Sequence, residues 1–121
     1  MDFLSRVFRP PAQSFFLLGP RGTGKSLWAR RQFPDAIWID LLDPETEREY
    51  AARPERLRER VEAEPRKKRV VIDEVQKAPQ LLDVVHGLIE AASPRPFVLT
   101  GSSARKLKRT GVDLLAGRAL L

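Results

Sequence analysis

The chain of 121 residues contains no cysteine, which excludes disulfide bridges and thiolate metal sites and fits a cytoplasmic protein. It has a single histidine, His86, which speaks against a histidine-based metal centre or catalytic triad and favours a helix-surface or packed role. Long apolar runs are also missing. The longest uncharged stretch, Pro10 to Pro20, is eleven residues and includes polar positions, whereas a membrane span needs roughly 20 apolar residues. The N-terminus, Met1 to Arg6, lacks the basic region followed by an apolar core that marks a secretory signal. No internal repeat or low-complexity segment is evident.

Charge of one sign does predominate, with a formal net charge of +6 and a pI near 10.3. Such a balance suits a polyanionic partner, either nucleic acid or the phosphates of a nucleotide. Most of the basic residues are diluted, however. Arg53, Arg56, Arg58 and Arg60 interleave with Glu55, Glu59, Glu62 and Glu64, as on an ordinary solvated surface. Only Arg66-Lys67-Lys68-Arg69 and the stretch from Arg105 to Arg109 are concentrated, and a nucleic-acid partner would rest on these two clusters. No aromatic stacking pattern accompanies them in the sequence.

Apolar residues make up 42% of the chain, enough to build a core in one domain over residues 1–121. Short apolar runs alternate with helical patterns, the signature of a mostly parallel α/β sheet covered on both faces. The runs are Ser14 to Leu18, Ala36 to Asp40, Val70 to Asp73 and Phe97 to Thr100. Helices are predicted from Lys25 to Phe33, ending before Pro34, and from Asp43-Pro44, an N-cap followed by proline in the first turn. A charged helix is predicted from Pro54 to Ala63. Another spans Pro79 to Ala92, with Leu81, Leu82, Val84, Val85, Leu88 and Ile89 on one apolar face.

Between the first run and the first helix lies Gly19-Pro20-Arg21-Gly22-Thr23-Gly24-Lys25-Ser26, which fits G-x-x-x-x-G-K-[ST]. Glycines let successive backbone N–H groups point inward at phosphate oxygens, and the following helix N-terminus favours an anion. In such a loop Lys25 reaches the β- and γ-phosphates and the Ser26 hydroxyl ligates Mg²⁺. A chance match in a chain this long is roughly one in a few hundred. The loop predicts a nucleoside triphosphate, Mg-ATP, bound by Gly19, Pro20, Arg21, Gly22, Thr23, Gly24, Lys25 and Ser26. Arg21 considered alone would face solvent.

The third apolar run ends in Asp73-Glu74, the pattern of a Walker B strand. A carboxylate at that strand end, beside the loop, can hold Mg²⁺ directly or through water, which suits Asp73. Glu74 can orient or deprotonate an attacking water. A small-molecule kinase instead places an acceptor hydroxyl at the γ-phosphate, so the acid pair favours hydrolysis over transfer to a metabolite. Gln76 could hydrogen-bond near this pair, although no spacing compels it.

The fourth run closes with Thr100-Gly101-Ser102-Ser103. In a sheet of this kind the fourth strand returns between the first and the third, which brings its polar end near the γ-phosphate. Ser102 is the first candidate to sense that phosphate or place the water, with Thr100 and Ser103 as alternates. Ser103 would otherwise cap a following helix. Gly117-Arg118 lies near the end of the chain, and a lone arginine there is ordinarily a surface residue.

Four segments occur in order: Gly19 to Ser26, Val70-Val71-Ile72-Asp73-Glu74-Val75-Gln76-Lys77, Leu99-Thr100-Gly101-Ser102-Ser103-Ala104, and Leu115-Ala116-Gly117-Arg118. Together they resemble the AAA-type P-loop ATPases of bacteria and archaea, in which an ATPase core precedes a C-terminal domain of unknown function. The D-E-x-Q-K and L-T-G-S-S strings are more specific than generic Walker motifs, and the resemblance runs from Phe15 to Arg118. It implies an α/β three-layer P-loop sandwich with a mostly parallel sheet of four to five strands in the order 5-1-4-3-2. The fifth strand is expected to be incomplete or missing, because the chain stops at Leu121 where that strand should begin, as in a C-terminally truncated core.

By position, the resemblance implies that Gly19 to Ser26 bind ATP or ADP, that Asp73 supports Mg²⁺ and that Glu74 is the catalytic carboxylate. Ser102 takes a sensor position at which many relatives carry asparagine. Arg118 becomes a phosphate-contacting arginine that reaches a neighbouring subunit of a homo-oligomer. The expected function is an ATPase module that binds Mg-ATP and, in its full-length form, hydrolyses it to drive conformational change in a protein or nucleic-acid partner. The alternatives are a nucleotide-binding interaction module without turnover, and a small-molecule kinase.

Overall fold

The computed structural model describes residues 14–19, 24–90 and 95–102, together with the backbone of 119–120. Its strands are β1 (Phe15–Leu18), β2 (Ile37–Asp40), β3 (Val70–Asp73), β4 (Phe97–Gly101) and β5 (Ala119–Leu120). The helices are α1 (Lys25–Gln32), α2 (Pro44–Ala52), α3 (Arg56–Ala63) and α4 (Leu81–Ile89), with a 3₁₀ turn at Val75–Lys77.

Strand order in the sheet is β2-β3-β4-β1-β5, the order expected from the sequence. Every described pairing is parallel. The fifth strand is present as a two-residue segment on the free edge of β1, with Phe16 opposite Ala119 and Leu17 opposite Leu120. Parallel neighbours need crossovers, and α1 to α4 supply those between β1, β2, β3 and β4.

Alternation along the strands divides the core into two layers. Phe15, Leu17, Val71 and Val98 point to one face and pack on Trp28 and Ala29 of α1. Phe16, Ile39, Ile72 and Leu99 point to the other face, toward Tyr50 of α2, Leu57 of α3 and Leu81, Val85 and Leu88 of α4. Trp28 meets Phe15 and Phe33 edge-on, at centroid distances of 6.5 and 5.9 Å. That packing fixes α1, and with it the residues of its first turn, against the sheet. Among the described residues no helix is long and apolar enough to cross a membrane.

Helix boundaries follow local chemistry. Helix α1 ends at Gln32, with Phe33 outside the helical region (φ −129°) ahead of Pro34. Asp43 caps α2: its carboxylate accepts from the Thr46 hydroxyl at 2.7 Å and the Thr46 amide at 3.1 Å, and Pro44 opens the helix. Those bonds, the hydroxyl's first, hold the Asp43 carboxyl below its ordinary value. Helices α3 and α4 begin two residues later than their prolines suggest. Single turns, such as Leu82 N–H to Pro79 C=O at 3.0 Å, lead into α4 first. The 3₁₀ turn after β3 is not predicted by periodicity, because three residues are too few to show a period.

Candidate active site

The buried polar residues of the described chain are Ser14, Lys25, Asp73, Glu74, Gln76 and Thr100. Ser14 serves the fold by accepting the Phe97 amide at 2.8 Å. The other five gather where β1, β3 and β4 end, beside the N-terminus of α1. The Gly19 amide bonds to the Gly101 carbonyl at 3.2 Å, tying the start of the loop to the end of β4. Gly24, at φ 82°, turns the chain into α1 through the left-handed region that glycine enters without a Cβ penalty.

Lys25 and Ser26 therefore occupy the first turn of α1. Lys25 is buried, and its Nζ donates to the Gly19 carbonyl at 2.8 Å, spanning the loop. The Ser26 hydroxyl contacts both Asp73 oxygens, at 2.7 and 2.8 Å. Thr100 Oγ1 donates to Asp73 Oδ1 at 2.5 Å and accepts the Glu74 amide at 2.9 Å. One hydroxyl thus fixes both acids, locking the Asp73 carboxylate and the backbone that carries Glu74.

Glu74 is the one described residue other than glycine with a positive φ (61°, ψ 54°). A left-handed conformation costs a residue with a Cβ roughly 1–2 kcal/mol, and such strain persists where surrounding contacts over-determine it. The contacts are present. Gln76 Nε2 donates to Glu74 Oε1 at 2.6 Å and to Ser102 Oγ at 3.0 Å, and Ser102 Oγ donates to the same Oε1 at 3.0 Å. Among the described residues both donors land on Oε1, which leaves Oε2 to face other partners.

Of the residues expected from the sequence, Gly19, Gly24, Lys25, Ser26, Asp73, Glu74 and Ser102 meet here. Pro20, Arg21, Gly22, Thr23, Ser103, the 105–109 basic cluster and Arg118 lie outside the described residues. Ser102 touches Glu74 and Gln76, so its described contacts position the carboxylate. Thr100, an alternate in the sequence reading, is the hydroxyl that holds Asp73. Gln76 lacked a spacing argument because β3 ends at Asp73, and only the left-handed turn at Glu74 brings position 76 back to the carboxylate. His86 lies apart, 3.3 Å from Glu90 on the surface of α4.

The oxygen donors fit a hard divalent cation. Ser26 and Asp73 present a hydroxyl and a carboxylate within hydrogen-bond distance of each other, the ligand types that Mg²⁺ accepts. Among the described residues no cluster of three or more His, Cys, Asp or Glu could hold a metal unaided.

Thr100→Val should destabilise the fold by about 1.5–3 kcal/mol, because it removes a bond to a carboxylate and strands the buried Glu74 amide. Urea unfolding measures this, and a loss under about 0.5 kcal/mol would show that the hydroxyl holds neither group.

No curated protein matches the chain. A family model described as an AAA domain matches residues 12–121, nearly the whole sequence. With the parallel sheet, the loop ahead of α1 and the acid pair after β3, the chain belongs to the AAA-type ATPase family.

Proposed function

We propose that the chain binds Mg-ATP through Gly19 to Ser26 and hydrolyses it with Glu74 as general base, using the change to move a partner. The observation that carries this reading is the convergence of two hydrogen-bonded groups beside Lys25. One is Ser26–Asp73–Thr100 and the other is Glu74–Gln76–Ser102. Ser26 and Asp73 would hold Mg²⁺, which when bound neutralises charge on the β- and γ-phosphates. Lys25 adds a point charge at the phosphates, and the N-terminus of α1 adds its dipole. Glu74, fixed through Oε1, turns Oε2 to the attacking water and takes its proton. Arg118 completes the proposal as a phosphate contact from a neighbouring copy. Equilibrium binding of ATP with and without Mg²⁺, followed by phosphate release, tests it. Binding without release leaves a nucleotide-binding module, and phosphoryl transfer to a metabolite would make it a kinase.

Gln76 acts through Glu74 and is a positioning residue. Gln76→Leu should lower kcat about tenfold while KM for ATP stays within about twofold, since only the base in the transition state is disturbed. Steady-state kinetics decide this: a rise in KM at constant kcat would place Gln76 in nucleotide binding.

A further inference from the structure

The end of β2 carries an acid that no sequence motif singles out. Asp40 closes that strand and stands in register with Asp73 of β3. The pairing runs one residue further, since the Leu41 amide donates to the Asp73 carbonyl at 3.1 Å. Alternation along the strands decides which face the two acids share. Ile39 and Ile72 turn to the layer of α2, α3 and α4, whereas Trp38 and Val71 turn to the layer of α1. Asp40 and Asp73, two positions beyond Trp38 and Val71, therefore lie on the face of α1, whose first turn holds Ser26 against Asp73. Neighbouring strands run roughly 4.8 Å apart, so the two acids occupy adjacent positions where β2 and β3 end.

Local structure accounts for one oxygen of Asp40 and not for its charge. Oδ1 accepts the Leu42 amide at 3.0 Å, closing a turn as β2 ends. Oδ2 has no partner among the described residues. Asparagine closes such a turn equally well. A carboxylate beside a second carboxylate costs free energy through like-charge repulsion unless a cation lies near. Among the described residues no ion pair reaches Asp40 or Asp73. Asp73 is buried and held by two neutral hydroxyls, those of Ser26 and Thr100, while Asp40 is half-buried.

We infer, on the reading that Ser26 and Asp73 hold Mg²⁺, that Asp40 is a positioning residue for that ion. Its carboxylate accepts a hydrogen bond from an ion-bound water, and its charge adds to that of Asp73. Mg²⁺ keeps several of its waters and is held by one or two carboxylates together with substrate phosphates. Partners in this outer layer commonly set roughly 10–100-fold of a metal's affinity. Without the ion the same charge repels the phosphates, so Asp40 makes nucleotide binding depend more steeply on Mg²⁺.

The test is calorimetric titration of the full chain with a β,γ-imido analogue of ATP, in saturating Mg²⁺ and in EDTA. Asp40→Asn keeps an acceptor for the Leu42 amide and removes the charge. It should weaken binding in Mg²⁺ about tenfold, while binding in EDTA stays within about twofold or becomes tighter. Matched urea midpoints establish that the variant folds. Equal weakening in both conditions would make Asp40 a prop of the turn alone and overturn the inference. A ratio of Mg²⁺ to EDTA affinities within about threefold of the original would overturn it too. Should the unaltered chain bind the analogue equally in Mg²⁺ and in EDTA, the reading of Ser26 and Asp73 as the ion's site falls, and Asp40 with it.

Discussion

Glu74→Gln should reduce ATP turnover by about 10²–10⁴-fold, the usual contribution of a positioned general base. ATP affinity should change by less than about threefold, because a group that acts on the water contributes to the transition state more than to the ground state. The substitution suits the question because an amide has nearly the shape of a carboxylate. It can keep an acceptor oxygen toward Gln76 and Ser102, which donate at 2.6 and 3.0 Å, and it can stay in the left-handed turn at φ 61°. What it loses is the basicity of the second oxygen. Calorimetric titration of ATP beside steady-state phosphate release gives both numbers. Turnover above a tenth of the original rate would remove Glu74 from the mechanism.

Lys25→Ala should weaken ATP binding by roughly 10- to 150-fold, the loss expected when a charged hydrogen-bonding partner of about 1.5–3 kcal/mol is removed. Lys25 is buried with its Nζ 2.8 Å from the Gly19 carbonyl, so its ammonium is already directed across the loop before nucleotide arrives. Helix α1 should survive the change, since it is anchored by Trp28 against Phe15 and Phe33, and alanine is a strong helix former. Arginine is not a substitute. Its planar fork is larger than the compact ammonium that a phosphate cradle accommodates. Calorimetry with ATP checks the effect, and an affinity within threefold of the original would sink the assignment of the loop.

Much of the fold was legible because the signals are local. Four apolar runs with little polar interruption predicted β1 to β4, and each formed within one residue of its expected bounds. Proline and the Asp43 cap marked helix ends by steric and hydrogen-bonding rules that act within a few residues. The starts of α3 and α4 were less legible. The residues just past Pro54 and Pro79 form single turns first, and an apolar periodicity cannot separate a turn from the first residues of a helix.

By itself, the sequence determined the phosphate-loop pattern, the acids at the end of β3 and the alternation that buries both faces of the sheet. Each depends on spacing within one segment. Only the tertiary structure decided which hydroxyl meets which acid: Ser26 reaches Asp73 across 47 positions, and Thr100 reaches it across 27. Register is the reason. Ile72 stands opposite Leu99, so Asp73 falls beside Thr100. A slip of one residue between β3 and β4 would turn Thr100 to the other face of the sheet and take its hydroxyl away from Asp73 Oδ1 and the Glu74 amide. The same holds for Asp40 beside Asp73, a pairing set by the register of β2 on β3.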